Sequence, residues 1–195
     1  MSVEEIKMFI ASIKNNKHRT IVILLYSTGM RLSEVAALKI ADIDSKNMRI
    51  KVVQGKGAKD RFTILSEQVL KELRVYYLQY RPKEYLFNGY KKGSPMSHRM
   101  IQHMVHETLT LAGLNDKHYT VHTLRHSFAT HLVDQGIDLH TVKELLGHRS
   151  LTTTMRYMHL TTRRIQGIVN PYDHLSVFTT EAKREDNMPH LSIVK

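Results

Sequence analysis

The sequence has no cysteine. That excludes a disulfide framework, a thiolate metal site and a cysteine nucleophile, and it suits a cytoplasmic protein. Long apolar runs are missing as well. The best of them, Ile21 to Tyr26, falls far short of the ~18–20 residues of a membrane span. Glu4 and Glu5 stand where a secretory leader would carry basic residues, so no export signal and no membrane partner are expected. Acidic residues are the minority, 18 Asp and Glu against 29 Lys and Arg, which leaves a formal charge of +11. Such an excess favours a polyanionic partner, because Lys and Arg set against phosphates displace counterions. No convincing pair of carboxylates is present to hold a divalent ion. His122, His126 and His131 lack the His-Glu-x-x-His order of zinc hydrolases, and His103 and His106 are equally unsupported. Neither a metal nor a cofactor is expected.

What is present is mostly helical period. At 195 residues and 42% apolar content the chain can form one packed domain with a short tail. Ser2 and Glu5 make a capping box before Ile6, Phe9, Ile10 and Ile13, which recur at helical spacing to about Lys14. Further helices are predicted over His18–Thr28, ended by Gly29, and over Leu32–Leu38, with Arg31 at the break. The period then changes. Met48–Val53 alternates and Arg61–Leu65 returns, so a small antiparallel hairpin is expected, with a basic tip at Gln54–Asp60. Glu84–Phe87 is a candidate for one more short strand. Helices follow from the cap Ser66 to Tyr80, from Ser97 to Leu111, from His122 to Gln135 and from Asp138 to Leu146. Ser150 caps the last, which is expected to carry Tyr157. The fold class is mainly α with a small antiparallel sheet (α+β).

Chemistry concentrates between Val121 and Leu160. Arg125 follows His122 by three residues, so both are expected on about one helical face. A guanidinium fork matches two phosphate oxygens, and Arg31 could clamp the same group and stabilise a pentavalent transition state. His122 and His148 could donate hydrogen bonds or take a phenolic proton. Lys56, on a glycine-flanked tip, is suited to protonate a leaving 5′-oxygen. Tyr157 alone carries little weight, since most tyrosines pack; the company it keeps makes it a candidate nucleophile. A competing reading takes Asp138–His159 as a helix-turn-helix, which on local pattern would make a DNA reader without chemistry.

Four boxes then carry a resemblance. Ser-Thr-Gly-Met-Arg-Leu-Ser-Glu-Val-Ala-Ala-Leu (27–38), Gly-Lys-Gly-Ala-Lys-Asp-Arg (55–61), the stretch His122–Leu132 and the stretch Leu145–Tyr157 resemble, in order, the tyrosine recombinases of the phage-integrase and Xer type. The resemblance implies a catalytic domain that cuts and rejoins DNA through a 3′-phosphotyrosyl link without metal or ATP. Arg31, Lys56, His122, Arg125 and His148 would surround the nucleophile Tyr157, and Glu34 would support Arg31. Ser97, His98, Arg99 and Gln102 match the start of the family's groove-inserting helix and, with Lys59 and Arg61 of the basic hairpin, are the expected DNA contacts. The partners implied are double-stranded DNA and further copies of the chain, as a homo-tetramer. The catalytic domain is expected over 1–178, with a segment from about 161 docking on a neighbour and a mobile tail over 179–195. The helical core-binding domain that usually precedes it in the family has no counterpart in this sequence. A type IB-like topoisomerase and a non-catalytic DNA-binding regulator on the same fold are the alternatives.

Overall fold

The computed structural model describes residues 1–53, 60–91, 93–148 and 150–157, all within the compact unit Met1–Thr162. Lys56 and Lys59, and the expected docking segment and tail beyond 160, lie outside the described residues.

The chain opens with α1 (Val3–Ser12), where Ser2 and Glu5 form the capping box as expected. Next comes α2 (Asn16–Thr28), which begins two residues earlier than predicted because the Asn15 side chain accepts from the His18 amide. A short α3 (Leu32–Ala36) follows. The sheet comes next, with strands β1 (Ile43–Asp44), β2 (Arg49–Val52) and β3 (Arg61–Ile64) in the order β1-β2-β3, all antiparallel. Three details differ from expectation. Met48 does not open β2 but turns with φ 51° ahead of it, while Asp44 accepts from Asn47 and Arg49 and closes a tight turn. The two residues of β1 are too few to produce an alternation. Tyr85 makes only an isolated bridge to Lys39 where Glu84–Phe87 was expected to form a strand.

The remaining helices are α4 (Glu67–Tyr80), α5 (His98–Leu111), α6 (Val121–Asp134), α7 (Leu139–Leu146) and α8 (Leu151–Met155). Ser66, Ser97, Asp138 and Ser150 each accept a first-turn amide, as their positions predicted. Tyr157 lies two residues past the end of α8 rather than on it.

Two apolar clusters result. The larger joins α1–α5 and the sheet around Phe9, Ile21, Leu24, Ile50, Phe87 and Ile101. The smaller consists of Phe128, Ala129, Val133, Val142, Leu146 and Tyr157. They meet where α2 ends. Gly29 has φ 60°, and a Cβ there would strike the Phe128 ring and Leu146. Only glycine allows α2 to end this tightly against α6 and α7.

Candidate active site

The site lies on that seam. Arg31 occupies the turn between α2 and α3, where its backbone N–H donates to Glu34 Oε2 (2.6 Å) and its Nη1 to Oε1 (2.8 Å). Its side chain stays 40% exposed, so it can reach a ligand arriving from solvent. Arg125 is the reverse case, at 8% exposure on the inner face of α6. Its Nη1 donates to the Gly29 carbonyl and its Nη2 to Leu146 O at 2.8 Å. His122 is exposed on the first turn of the same helix. The shared face expected for the pair is therefore divided between solvent and core, because Val121, Leu124 and Phe128 draw the Arg125 side inward.

The C-terminal end of α7 organises the cations. Leu145 O accepts from Arg61 Nε (2.9 Å), Leu146 O from Arg125 and Gly147 O from Arg31 Nη2 (3.1 Å). The last carbonyls of a helix lack intrahelical donors and carry the negative end of its dipole, so three guanidinium groups can gather there. Burial and the like charge of Arg31 pull Arg125 down to about 10, which leaves it charged at neutral pH. Burial alone would push the Glu34 carboxyl up. Hydrogen bonds from Arg61 and from the Arg31 backbone outweigh it and bring the group down to about 2.

His148 follows Gly147, whose φ of 67° turns the chain out of α7. The His148 Nδ1 lies 2.9 Å from the hydroxyl of buried Thr154. Burial, then Arg125 and Arg31, lower His148 to about 4, so the ring is neutral at pH 7. A neutral imidazole can still donate one hydrogen bond to a phosphate oxygen. Tyr157 is 5% exposed, with its ring 6.4 Å from His148 and 5.0 Å from His126, centroid to centroid. Burial raises its phenol, while Arg125 and Arg156 oppose the rise. The structure thus gathers Arg31, Arg125, His148 and Tyr157 about one helix end.

Comparison with known proteins places the chain in a family. Residues 1–164 match the model of the phage integrase family. The chain belongs to that family. It is 39% identical over 175 residues to an integrase/recombinase-type protein, y4qK, of Sinorhizobium fredii, covering 90% of this chain and 56% of the relative. It is 38% identical over 160 residues to the tyrosine recombinase XerC of Staphylococcus epidermidis, covering 80% and 53%. Among solved structures it is similar to the XerA recombinase, with a TM-score of 0.76 at 34% identity over 85% of this chain and 62% of that one. The XerH recombinase bound to its difH substrate after cleavage gives 0.75 at 30% identity, over 85% of this chain and 51% of that one. The chain therefore spans little more than half the length of y4qK and XerC.

Within this integrase-family site, Arg61 departs from its expected place. Its side chain is 9% exposed, and its donors go to both oxygens of Glu34 and to Leu145 O. In this structure it acts as an internal bracket. Ser97, His98, Arg99 and Gln102 are exposed at the start of α5, with Ser97 Oγ accepting from the Met100 amide. His126, considered in the sequence only as a metal ligand, proves to be a ring neighbour of Tyr157. Its signal was available as the partner of His122 one turn on, but spacing alone could not say which histidine faces the tyrosine. His131 hydrogen-bonds Tyr26 Oη at 3.0 Å. Among the described residues no group of three or more His, Asp or Glu side chains could hold a metal ion. The helix-turn-helix outline is reduced to a five-residue α8 with Thr154 buried, too short for a groove reader.

Proposed function

We propose that this integrase-family domain breaks and rejoins DNA strands by tyrosine transesterification. Tyr157 Oη attacks the scissile phosphorus, the P–O5′ bond breaks, and a 3′-phosphotyrosyl link stores the bond energy. A 5′-hydroxyl later attacks that link, and the strand is resealed without ATP. Arg31 and Arg125 hold the non-bridging oxygens and stabilise the charge of the pentavalent transition state. His148 donates to the same group from its neutral ring, and His122 takes part in moving the phenolic proton. Lys56 protonates the leaving 5′-oxygen. The phosphate sits in place of the Gly147 carbonyl contact that Arg31 makes in the free protein.

The observation that carries this reading is the meeting of Arg31, Arg125, His148 and Tyr157 at the C-terminal end of α7. The +11 charge and the relatives with DNA-bound structures support double-stranded DNA as the partner. The exposed start of α5, with Ser97, His98, Arg99 and Gln102, is the surface offered to it. On DNA the working assembly is a homo-tetramer, with the segment beyond 160 docking between copies, and the setting is the cytoplasm. Among the described residues no helix is long and apolar enough to cross a membrane.

The test is covalent trapping on a nicked duplex taken from the DNA flanking the gene, whose short downstream strand diffuses away after cleavage. A denaturant-resistant adduct with the wild-type chain, absent with Tyr157→Phe, is the expected result. DNA binding without any adduct would favour a non-catalytic regulator. Relaxation of supercoiled plasmid without recombinant product would favour a topoisomerase-like activity.

A further inference from the structure

We infer that Arg61 is a positioning residue that fixes the phosphate-clamping geometry of Arg31 by gripping Glu34. The inference rests on the strand-transfer reading for what the geometry accomplishes, and on the structure alone for the grip itself.

Glu34 is 8% exposed and accepts from two arginines at once. Arg61 Nη1 and Nη2 reach its two oxygens at 2.8 Å each, a parallel fork that sets the plane of the carboxylate. Each oxygen has capacity left for Arg31. Oε1 takes the Arg31 Nη1 proton and Oε2 takes its backbone N–H, so both ends of Arg31 are tied to one rigid group. Without Arg61, Glu34 would keep only the exposed, rotatable partner, and a buried carboxylate with half its donors removed would reorient or protonate.

The bracket is itself braced. Arg61 is the first residue of β3, and its Nε donates to Leu145 O across to α7. The same side chain passes directly beneath Gly147. A Cβ at that glycine would lie 2.8 Å from Arg61 Cδ and 2.9 Å from its Nε. Glycine is thus required at 147 both for its φ of 67° and for room beneath it. Arg61 therefore joins the sheet, α3 and α7 at the three places that present Arg31, Glu34 and the Gly147–His148 turn. The charged groups facing Glu34 are Arg31 at the N-cap of its helix, Arg61 from β3 and, at longer range, Arg125 from α6.

The experiment combines Arg61→Gln and Arg61→Lys with Arg31→Ala and the Arg31→Ala/Arg61→Gln double variant. Lysine keeps the charge but cannot form the fork, and it covers the case in which glutamine prevents folding. Single-turnover cleavage of the nicked duplex should fall about 100-fold in each Arg61 variant, the scale of a misplaced clamp. DNA affinity should stay within about two-fold, because the Arg61 side chain is only 9% exposed and all three of its nitrogens donate within the protein. The double variant should cleave no more slowly than Arg31→Ala alone, since Arg61 acts through Arg31. A structural lesion would instead multiply the two losses, and that outcome, or wild-type cleavage by the Arg61 variants, overturns the inference. A second measurement needs no DNA. Carbon-13 NMR of the side-chain carboxyls should show Glu34 titrating at higher pH in Arg61→Gln and Arg61→Lys than in the wild-type chain. An unmoved Glu34 also overturns it. If Glu34 moves but the wild-type chain forms no adduct, the strand-transfer reading fails and the bracket stands.

Discussion

The two apolar clusters divide the chemistry between them. The larger one, from α1 to α5 with the sheet, is built from fully buried side chains on many elements and carries Arg31 on a turn bracketed by Glu34 and Arg61. The smaller one rests on one face of α6 and α7 and contains Tyr157 itself. In the proposed strand-transfer reading, one region holds a phosphate still and the other presents the nucleophile. Stability within a fold follows buried contact density, so the nucleophile's side is expected to open more readily than the clamp's. Arg125 sits between them, donating to Gly29 at the end of α2 and to Leu146 at the end of α7.

Four perturbations would break or sharpen that contrast. The largest effect is expected from Tyr157→Phe, which removes the nucleophilic oxygen but leaves the ring in the smaller cluster. Adduct formation should disappear while the unfolding free energy stays within about 1 kcal/mol of wild type. A large loss of stability would mean that the hydroxyl, not the ring, holds that cluster together.

Arginine deletions come next. Arg31→Ala and Arg125→Ala should each slow cleavage by roughly 10²–10³-fold, the usual loss for a preorganised donor. They should differ in stability. Arg125→Ala leaves the Gly29 and Leu146 carbonyls without that donor and should cost about 1–3 kcal/mol by denaturant titration. Arg31 is partly exposed, and its removal should cost less. Equal stability losses would contradict the distinction between a buried strut and an exposed clamp.

Cavity variants test the clusters themselves. Leu24→Ala and Leu146→Ala both remove fully buried leucines, each worth about 2–5 kcal/mol. Leu24→Ala should lower hydrogen-exchange protection throughout the described helices. Leu146→Ala should lower it mainly in α7 and α8. Uniform loss in both would show a single cooperative core.

The last perturbation is of pH. His148 titrates near 6.5 when unfolded and at about 4 when folded. Between those values the unfolded chain binds a proton that the folded chain refuses, so stability declines as pH falls from about 6.5 to about 4. His148→Gln should flatten that part of a stability-against-pH curve, leaving the carboxylate-driven decline at lower pH. An unchanged slope would remove His148 from the charged seam.

Much of the architecture was legible in the sequence, because its cues were local. Serines at 2, 66, 97 and 150 and Asp138 accept amides within their own first turns, and Gly29 and Gly147 end helices with positive φ. The alternation of Arg49–Val52 gave β2, while the two residues of β1 gave no period to detect. The candidate set Arg31, Arg125, His148 and Tyr157 was legible for a different reason, namely the order and wording of four boxes that resemble one family.

By itself the sequence determined the helical composition, the basic charge and the candidate groups proposed to grip and attack a phosphate. These depend on residue type and on spacings of a few positions. Only the tertiary structure decided that Arg125 is buried while His122 is exposed, that His126 lies beside Tyr157, and that Arg61 faces inward to Glu34. Those choices depend on which carbonyls and carboxylates happen to lie across the seam. Arg61 and Glu34 are 27 positions apart, and Arg61 and Leu145 are 84 apart. Their pairing follows from the packing of β3 against α7, which no local period encodes.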